Sequence, residues 1–208
     1  MMKIESVAAQ PDRAGRHRVC FADGSIMRLY KQTVQDFGLY PGKELTPETY
    51  GTLQKAAGEM SAKMRAVRIV SASSVSKKDL ERRLIQKGED PEQAKHAVAW
   101  MSDMQFIDDR KTAEQIVRKC AVKGYGIARA KQALYEKRIP KECWEEALED
   151  YPDQTDAIVA FLKARLPEDG DRRAIQKVTN SLILRGHSYT DIRRGLEQIY
   201  RGDEIWED

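Results

Sequence analysis

Two runs of cationic side chains could bind a polyanion. Between Arg118 and Arg138 there are seven basic residues and one acid, Glu136. Between Lys63 and Lys87 there are eight basic residues and two acids. A solvated helix face usually carries both signs of charge, whereas contacts with phosphates supply much of the affinity of proteins for nucleic acids. We therefore interpret the two runs as a functional basic surface, with ordinary solvated helix faces as the alternative.

The candidate binding residues lie in both runs and in the C-terminal part of the chain. They are Lys78, Arg82, Lys87, Lys123, Arg129, Lys131, Lys137, Arg138, Arg172, Arg173, Arg193 and Arg194. On a helical wheel Lys131 and Arg138, seven positions apart, lie about 20° from each other, on one side of the apolar stripe. Lys78 and Arg82 point away from the apolar stripe of their own helix. We expect two exposed pairs, without a basic stripe common to all the helices.

An acidic pair, Asp108 and Asp109, could in principle hold a metal or act in acid–base catalysis. Nothing nearby in the sequence completes such a site. Acidic residues at a helix start accept hydrogen bonds from free backbone N–H groups and match the helix dipole. We therefore interpret this pair as a helix cap.

The cysteines and histidines form no recognisable catalytic or metal-binding pattern. Zinc sites normally show two close ligand pairs, and here His17 and Cys20 form one loose pair on a predicted strand. A nucleophile–base pair such as Cys120 with His96 stays open, although no local signature supports it. Gly-Tyr-Gly at residues 124–126 is an incomplete phosphate-loop pattern between two predicted helices, which favours a tight helix–helix joint. We expect neither a cofactor nor a metal.

The central stretch, residues 106–148, predicts three short helices separated by two breaks. Gly124 and Gly126 interrupt the chain after the first helix because glycine tolerates backbone angles that other residues resist. Pro140 ends the second helix, since the residue before proline is disfavoured in the helical region. It also lies near the start of the third helix, where its missing N–H costs little. None of the three helices can bury its apolar stripe alone, so we expect one three-helix unit.

The same pattern occurs upstream and downstream, at spacings of 50 and 48 residues. Leu84, Leu134 and Leu182 are the equivalent positions: an apolar residue lies four positions before each leucine and a basic residue three positions after it. Three copies of this size indicate a helical repeat protein, with nine helices grouped in threes between residues 46 and 200. The fold class is therefore mainly α, with the three leucines buried.

Several of these segments resemble one known family. KGYGIARAKQALYEKRI at residues 123–139, preceded by FIDD at residues 106–109, closely resembles the central motif of the RecX family. KDLERRLIQKG at residues 78–88 resembles the first-repeat motif, and LRGHSYTDI at residues 184–192 resembles the last. The resemblance implies tandem three-helix repeats that bind the RecA recombinase filament on DNA and usually restrain it. Thr112 departs from a common aromatic, and Arg138 stands where the family has glycine.

The N-terminal part has a different pattern. Residues 2–9, 18–22 and 25–30 have strand character, with Asp23-Gly24 as a hairpin turn, and residues 33–37 fit a short helix. Longer members of the resembled family carry such a module.

The next segment has a helical stripe of apolar residues, formed by Leu53, Ala57, Met60, Met64 and Val67. The expected division is a β-rich module at 1–45, three-helix repeats at 46–107, 108–150 and 151–201, and an acidic tail at 202–208.

Charge and composition narrow the cellular setting. Residues 1–201 hold 36 basic and 29 acidic side chains, whereas residues 202–208 hold four acids beside Trp206. The basic body is compatible with a polyanionic partner. Three scattered cysteines without a CxxC pair favour a reducing cytoplasm. No apolar run approaches the roughly 20 residues that a membrane span needs. We expect Trp100, Trp144, Phe106 and Tyr189 to pack between helices.

From the family resemblance, together with the composition, we expect a cytoplasmic, monomeric, non-enzymatic regulator that binds the RecA filament, with DNA contacted there, and that inhibits RecA. The sequence leaves the sign of regulation open. The first alternative is a free-standing helical DNA-binding protein such as a transcription regulator, which would need base-reading side chains. Gln132 and Asn180 are isolated candidates for that role. The second alternative, a hydrolase or other enzyme, lacks a complete catalytic constellation in the sequence.

Overall fold

A computed structural model describes residues 1–166 and 171–200. The chain divides into two units, Met1–Ile107 and a second unit that begins at Asp108. The acidic tail with Trp206 and most of the acidic loop at 167–171 lie outside the described residues. The five-part domain division expected from the sequence stays a prediction.

A small antiparallel sheet forms the N-terminal module, in the strand order β3-β2-β1-β4. Its elements are β1 (Met2–Val7), β2 (Arg16–Phe21), β3 (Ile26–Tyr30), a short helix α1 (Lys31–Asp36) and β4 (Glu44–Leu45). The β-rich module and its three strands within residues 1–30 are confirmed, but the expectation that residues 1–30 supply the whole sheet was wrong, because β4 adds a fourth strand. β4 pairs through two residues with the start of β1, and a strand that short leaves no alternating pattern in a sequence.

Three helices complete the first unit: α2 (Pro47–Ala72), α3 (Lys77–Gln86) and α4 (Pro91–Asp103). Each helix begins at a side-chain cap. Thr46 Oγ1 accepts from the N–H of Thr49 at 3.1 Å, and Ser76 Oγ accepts from the N–H of Asp79 at 3.0 Å. The carboxylate of Asp90 accepts from the first turn of α4. These caps satisfy N–H groups that have no partner within the helix.

The apolar stripe of α2 differs in part from the prediction. The fully buried residues are Leu53, Ala62 and Ala66, while the expected Met60 and Met64 are half-buried. Leu53 packs in the core of the sheet, whereas Ala62 and Ala66 pack in the core shared with α3 and α4. The buried face therefore changes along this 26-residue helix, because it serves two cores in turn.

The second unit repeats the helical pattern twice. Its elements are α5 (Asp109–Val122), α6 (Ile127–Glu136), a 3-10 turn (Lys141–Cys143), α7 (Trp144–Leu148), α8 (Thr155–Lys163), α9 (Arg172–Leu184) and α10 (Tyr189–Ile199). Among the described residues from 46 to 200 there are thus nine α-helices, α2 to α10. The tandem three-helix architecture is confirmed.

The three equivalent leucines occupy the same position in three small cores. Leu84, Leu134 and Leu182 have 0%, 0% and 1% of their surface exposed. The carbonyl of each accepts a hydrogen bond from the N–H five residues later, at 3.1, 3.0 and 3.2 Å respectively. This bond ends each helix in the same way. The alignment of the three copies is therefore confirmed by burial and by backbone geometry.

A left-handed residue follows each of these helices. Gly88 has a φ of 87° and Gly186 a φ of 88°, and Arg138 occupies the equivalent place with a φ of 56°. Residues with a Cβ rarely adopt this conformation. The departure from glycine at Arg138 thus leaves the turn in place, with the strain of a side chain added to it.

The aromatic residues divide into two groups. Trp100 and Trp144 pack against the cores, and the indole N–H of Trp144 donates to the carbonyl of Ile139 at 3.0 Å. Phe106 and Tyr189 are 63% and 55% exposed. The prediction that all four pack between helices was therefore wrong for these two.

Candidate functional site

The first-unit candidates lie on or just after α3, and two of them have no carboxylate partner among the described residues. Lys78 and Lys87 are exposed. Arg82 Nη2 instead lies 2.8 Å from Oδ1 of Asp79, whose side chain is buried. The expected exposed pair of Lys78 and Arg82 is thus reduced to Lys78, because the charge of Arg82 is held by its own helix.

A second group surrounds α6. Lys123 is exposed at the end of α5, while Arg129 Nη1 lies 3.2 Å from Oε1 of Glu136. The amide of Gln132 also donates to Glu136, at 3.2 Å. Hydrogen bonds from Gln132 and then from Arg129 lower the pKa of Glu136. Arg129 is therefore positioned within its helix by a carboxylate.

Lys131 and Arg138 do not share one helix face. Lys131 is exposed on α6, but that helix ends at Glu136 and Lys137 follows as its C-cap. Arg138 lies beyond the helix in the left-handed conformation. The helical wheel that placed Lys131 and Arg138 about 20° apart was therefore wrong. Both side chains, and that of Lys137, are exposed.

The remaining candidates are on the third repeat. Arg172 and Arg173 are exposed in the first turn of α9. Arg193 Nε lies 3.0 Å from Glu197, and Arg194 Nη1 lies 3.9 Å from Asp191. The two α10 arginines therefore have acidic partners one turn away.

The uncompensated candidate cations occur on all three helical repeats. Seven of the twelve candidates have no carboxylate partner within the described parts of the chain. These are Lys78, Lys87, Lys123, Lys131, Arg138, Arg172 and Arg173. Because none of them forms an ion pair within residues 1–166 and 171–200, they are the candidates best able to contact an anionic partner.

Two glycines bring the second and third repeats into direct backbone contact. The N–H of Gly126 donates to the carbonyl of Arg185 at 3.0 Å. A Cβ at Gly126 would lie 2.0 Å from the carbonyl oxygen of Gly186. The interpretation of Gly-Tyr-Gly as a tight helix–helix joint is thus confirmed, because any larger residue would force the two backbones apart.

Polar side chains hold the same joint. Arg185 donates to the carbonyl of Lys123 at 3.2 Å, and Nε2 of His187 lies 3.1 Å from the carbonyl oxygen of Gly124. Burial lowers the pKa of His187. The Tyr151 hydroxyl donates to the carbonyl of Tyr125 at 2.6 Å, and burial raises the pKa of Tyr151 to about 12. These groups are explained by the packing of the repeats.

The other candidate chemistry has structural explanations. Asp108 Oδ1 accepts from the N–H groups of Arg110 and Lys111 at 2.9 and 3.3 Å, which confirms its role as a helix cap. Burial raises the pKa of the thiols of Cys120 and Cys143, which disfavours a nucleophilic thiolate. Across residues 1–166 and 171–200 no group of three or more His, Cys, Asp or Glu could hold a metal ion. In the same residues no helix is long and apolar enough to cross a membrane.

Four further arginines, absent from the twelve candidates, line a cleft in the first unit together with Lys87. They are Arg16, Arg65, Arg68 and Arg83. Three of them belong to the basic run between Lys63 and Lys87, so the density of that run was a signal for them. Arg16 lies on a strand far away in sequence, and only the fold brings it to the cleft.

Comparison with known proteins finds one family with similar sequences. A family model described as "RecX, second three-helix domain" matches residues 108–148. Regulatory protein RecX of Clostridioides difficile (strain 630) is 25% identical over 213 residues, which cover 97% of this chain and 96% of that protein. Regulatory protein RecX of Cronobacter sakazakii (strain ATCC BAA-894) is 29% identical over 67% of this chain and 90% of its own length. The chain is therefore similar to RecX proteins over nearly its whole length.

Two solved structures share the fold of this chain. A crystal structure of regulatory protein RecX has a TM-score of 0.65 at 22% identity, covering 93% of this chain and all of that one. The crystal structure of RecX from Lactobacillus salivarius has a TM-score of 0.62 at 22% identity and covers 69% of this chain. These two structures show that the chain shares the RecX fold.

Proposed function

We propose that this RecX-like protein binds the RecA filament on DNA and restrains RecA, acting through binding, without catalysis. Similarity to proteins named regulatory protein RecX supports the regulatory role, and the resemblance of the repeat motifs supports RecA as the partner. Gly126, in the central motif, packs against Gly186, in the last motif, so these two glycines have a structural role. The binding contacts are therefore expected among the exposed cations that flank the motifs.

The observation that carries the proposal is the distribution of the seven uncompensated cations over three successive repeats. An isolated exposed ion pair contributes at most about 1 kcal/mol. Several such contacts made by one chain add up, because each later contact is intramolecular once the first has formed. A filament repeats the same acidic and phosphate groups along its length, so it can meet several repeats at once.

Such occupancy would restrain RecA by holding neighbouring RecA protomers together or by blocking the addition of new ones. Both effects reduce the turnover of ATP that depends on movement of the protomers. Phosphates of the bound DNA are a second set of anions within reach of the same cations. We infer inhibition as the sign of regulation, a monomer as the active form, and the cytoplasm as its location.

The test is the ATPase activity of RecA on single-stranded DNA with the full-length protein titrated in. We expect the parent to lower the activity and a variant with Lys78, Lys123, Lys131 and Arg138 changed to Glu to have lost this effect. Arg82 is left unchanged, because its replacement would leave the buried Asp79 with one cation fewer. Surface changes of this kind usually move stability by about 0.5 kcal/mol or less each.

A matched control separates specific contacts from net charge. Four other exposed lysines, changed together to Glu, alter the charge of the protein equally. They are Lys55, Lys95, Lys141 and Lys177. The control should still restrain RecA. If the first variant restrains RecA as well as the parent does, the seven-cation interface is refuted.

A free-standing DNA-binding protein is less well supported, because both base-reading candidates are engaged within their own helices. Gln132 donates to Glu136 at 3.2 Å, and Asn180 accepts from Gln176 at 3.1 Å. Binding to duplex DNA alone, compared with DNA coated by RecA, separates the two functions. Tighter binding to the bare duplex would favour the DNA-binding alternative.

A further inference from the structure

A basic cleft opens in the first unit between the N-terminal sheet and the helices of the first repeat. Its volume is about 460 Å³, within the range of about 300–1,000 Å³ that is usual for ligand sites. Arg16 and Tyr30 line it from β2 and β3, Arg65 and Arg68 from α2, and Arg83 from α3. We call this the N-terminal basic cleft; Lys87 completes its cationic lining.

Two of its arginines are held in place by buried carboxylates. Arg65 Nε lies 2.6 Å from Oε1 of Glu89, and Arg65 Nη1 donates to the carbonyl of Lys87 at 2.7 Å. Arg83 Nε lies 2.8 Å from Oδ2 of Asp79. Asp79 and Glu89 are only 3% and 8% exposed. A guanidinium has five N–H donors in a fixed plane, so these ion pairs orient each arginine and leave further donors available.

The cleft has an excess of positive charge. Three of its cations have carboxylate partners: Arg16 pairs with Asp12 at 2.8 Å, and the other two are Arg65 and Arg83. Arg68 donates to the hydroxyl of Tyr30. Neither Arg68 nor Lys87 has a carboxylate partner in the described part of the chain. An anion in the cleft would therefore meet two uncompensated cations and two preorganised guanidinium groups.

An apolar wall lies beside these cations. Tyr30, Ile69 and Ala72 contribute to the same lining. Guanidinium groups match the geometry of phosphate oxygens, and single-stranded nucleic acids are bound by cations along the backbone and by aromatic side chains that stack with bases. A flat base beside a phosphate fits this combination better than an acidic peptide, which presents carboxylates alone.

We propose that the N-terminal basic cleft binds a phosphate-bearing nucleotide unit of a single-stranded nucleic acid. The site is built partly from the β-rich module, and it goes beyond the interface with the RecA filament because it requires no RecA.

The test is fluorescence anisotropy of a labelled oligothymidylate with the full-length protein and without RecA. The cleft variant combines Arg68→Gln with Lys87→Gln, since neither residue holds a buried carboxylate. We expect its affinity to fall about ten-fold and its log–log salt slope to fall by about 1.4, because each phosphate contact on a single strand contributes about 0.7. Lys55→Gln with Lys95→Gln removes the same charge elsewhere and should leave both quantities unchanged.

Three results would overturn the proposal. The first is equal affinity of the cleft variant and the parent. The second is displacement of the oligonucleotide by polyglutamate at lower charge concentration than by unlabelled oligothymidylate, which would make the cleft a peptide site. The third is competition by thymidine monophosphate as strong as that by the strand, which would make a free nucleotide the ligand. Because RecA is absent, restraint of the RecA ATPase can survive any of these outcomes, so failure here is distinguishable from failure of the proposed function.

Discussion

The contact between Gly126 and Gly186 makes a strong prediction for Gly126→Ala. The new methyl carbon would lie 2.0 Å from the carbonyl oxygen of Gly186 and 2.4 Å from the backbone nitrogen of His187. An ordinary contact begins at 3.4 Å. Both neighbours are backbone atoms, so no side-chain rotation can relieve the overlap. The joint between the second and third repeats must open.

The magnitude follows from the strain and from the bonds that opening removes. Overpacking typically destabilises a protein by about 1–3 kcal/mol. Two backbone hydrogen bonds cross the joint here, from Gly126 to Arg185 at 3.0 Å and from Ala128 to Gly186 at 3.3 Å. Each contributes about 1 kcal/mol net. We therefore expect the free energy of unfolding to fall by about 3–5 kcal/mol.

Urea unfolding of the full-length protein, followed by far-ultraviolet circular dichroism, measures this change. Gly51→Ala is the matched control, since Gly51 lies within α2 with nothing within 4 Å of its added Cβ. There the same substitution should stabilise the protein by up to about 1 kcal/mol, because alanine favours the helix over glycine. A lower free energy of unfolding for Gly126→Ala together with a higher one for Gly51→Ala would show that the close backbone contact at Gly126 causes the effect.

Hydrogen exchange locates the effect within the chain. In Gly126→Ala the amides around residues 124–130 and 182–188 should exchange faster, while those of the first unit keep their protection. If Gly126→Ala is as stable as the parent and equally protected, the backbone contact between the two repeats does not exist in solution.

Three further predictions concern the same repeats. Arg138→Gly should raise the free energy of unfolding by about 1 kcal/mol in urea, because it removes the strain of a side chain at a φ of 56°; a lower midpoint would contradict this. Leu134→Ala, at a fully buried site, should lower it by about 2–5 kcal/mol, and a change near zero would remove this leucine from the core. Stability should also decline as pH falls from 7.5 to 5.5, because burial holds the pKa of His187 below its usual 6.5. The unfolded chain then binds a proton that the folded chain resists, so His187→Gln should show a shallower decline, and an equal decline in both proteins would refute this role.

Interactions between residues close in sequence made much of this fold predictable. The caps at Thr46, Ser76 and Asp108 are made to backbone groups two or three residues away, so the residue types alone indicate where the helices begin. The spacing of Leu84, Leu134 and Leu182 similarly identified the repeats, because each of these helices has a buried leucine at the same position near its C-terminal end.

Part of the candidate site was also encoded locally. Arg82 follows Asp79 by three positions, and Arg193 precedes Glu197 by four, spacings at which helical side chains meet. These ion pairs could have been expected from the sequence, and they separate compensated cations from free ones. The error over Arg138 has a different cause, since one residue of left-handed backbone after Lys137 removes it from the helix on which the wheel had placed it.

The sequence by itself determined the helical repeats, their caps, their leucine anchors and the family resemblance, because each depends on residues a few positions apart or on a repeated spacing. Only the tertiary structure determined which surfaces of those elements come into contact. The strand at Glu44–Leu45 forms because it pairs with the free edge of β1. The N-terminal basic cleft brings Arg16 to Arg65 and Lys87, and Gly126 meets Gly186 across about sixty residues of chain. Contacts of that range arise from the packing of completed elements, and no local pattern in the sequence records them.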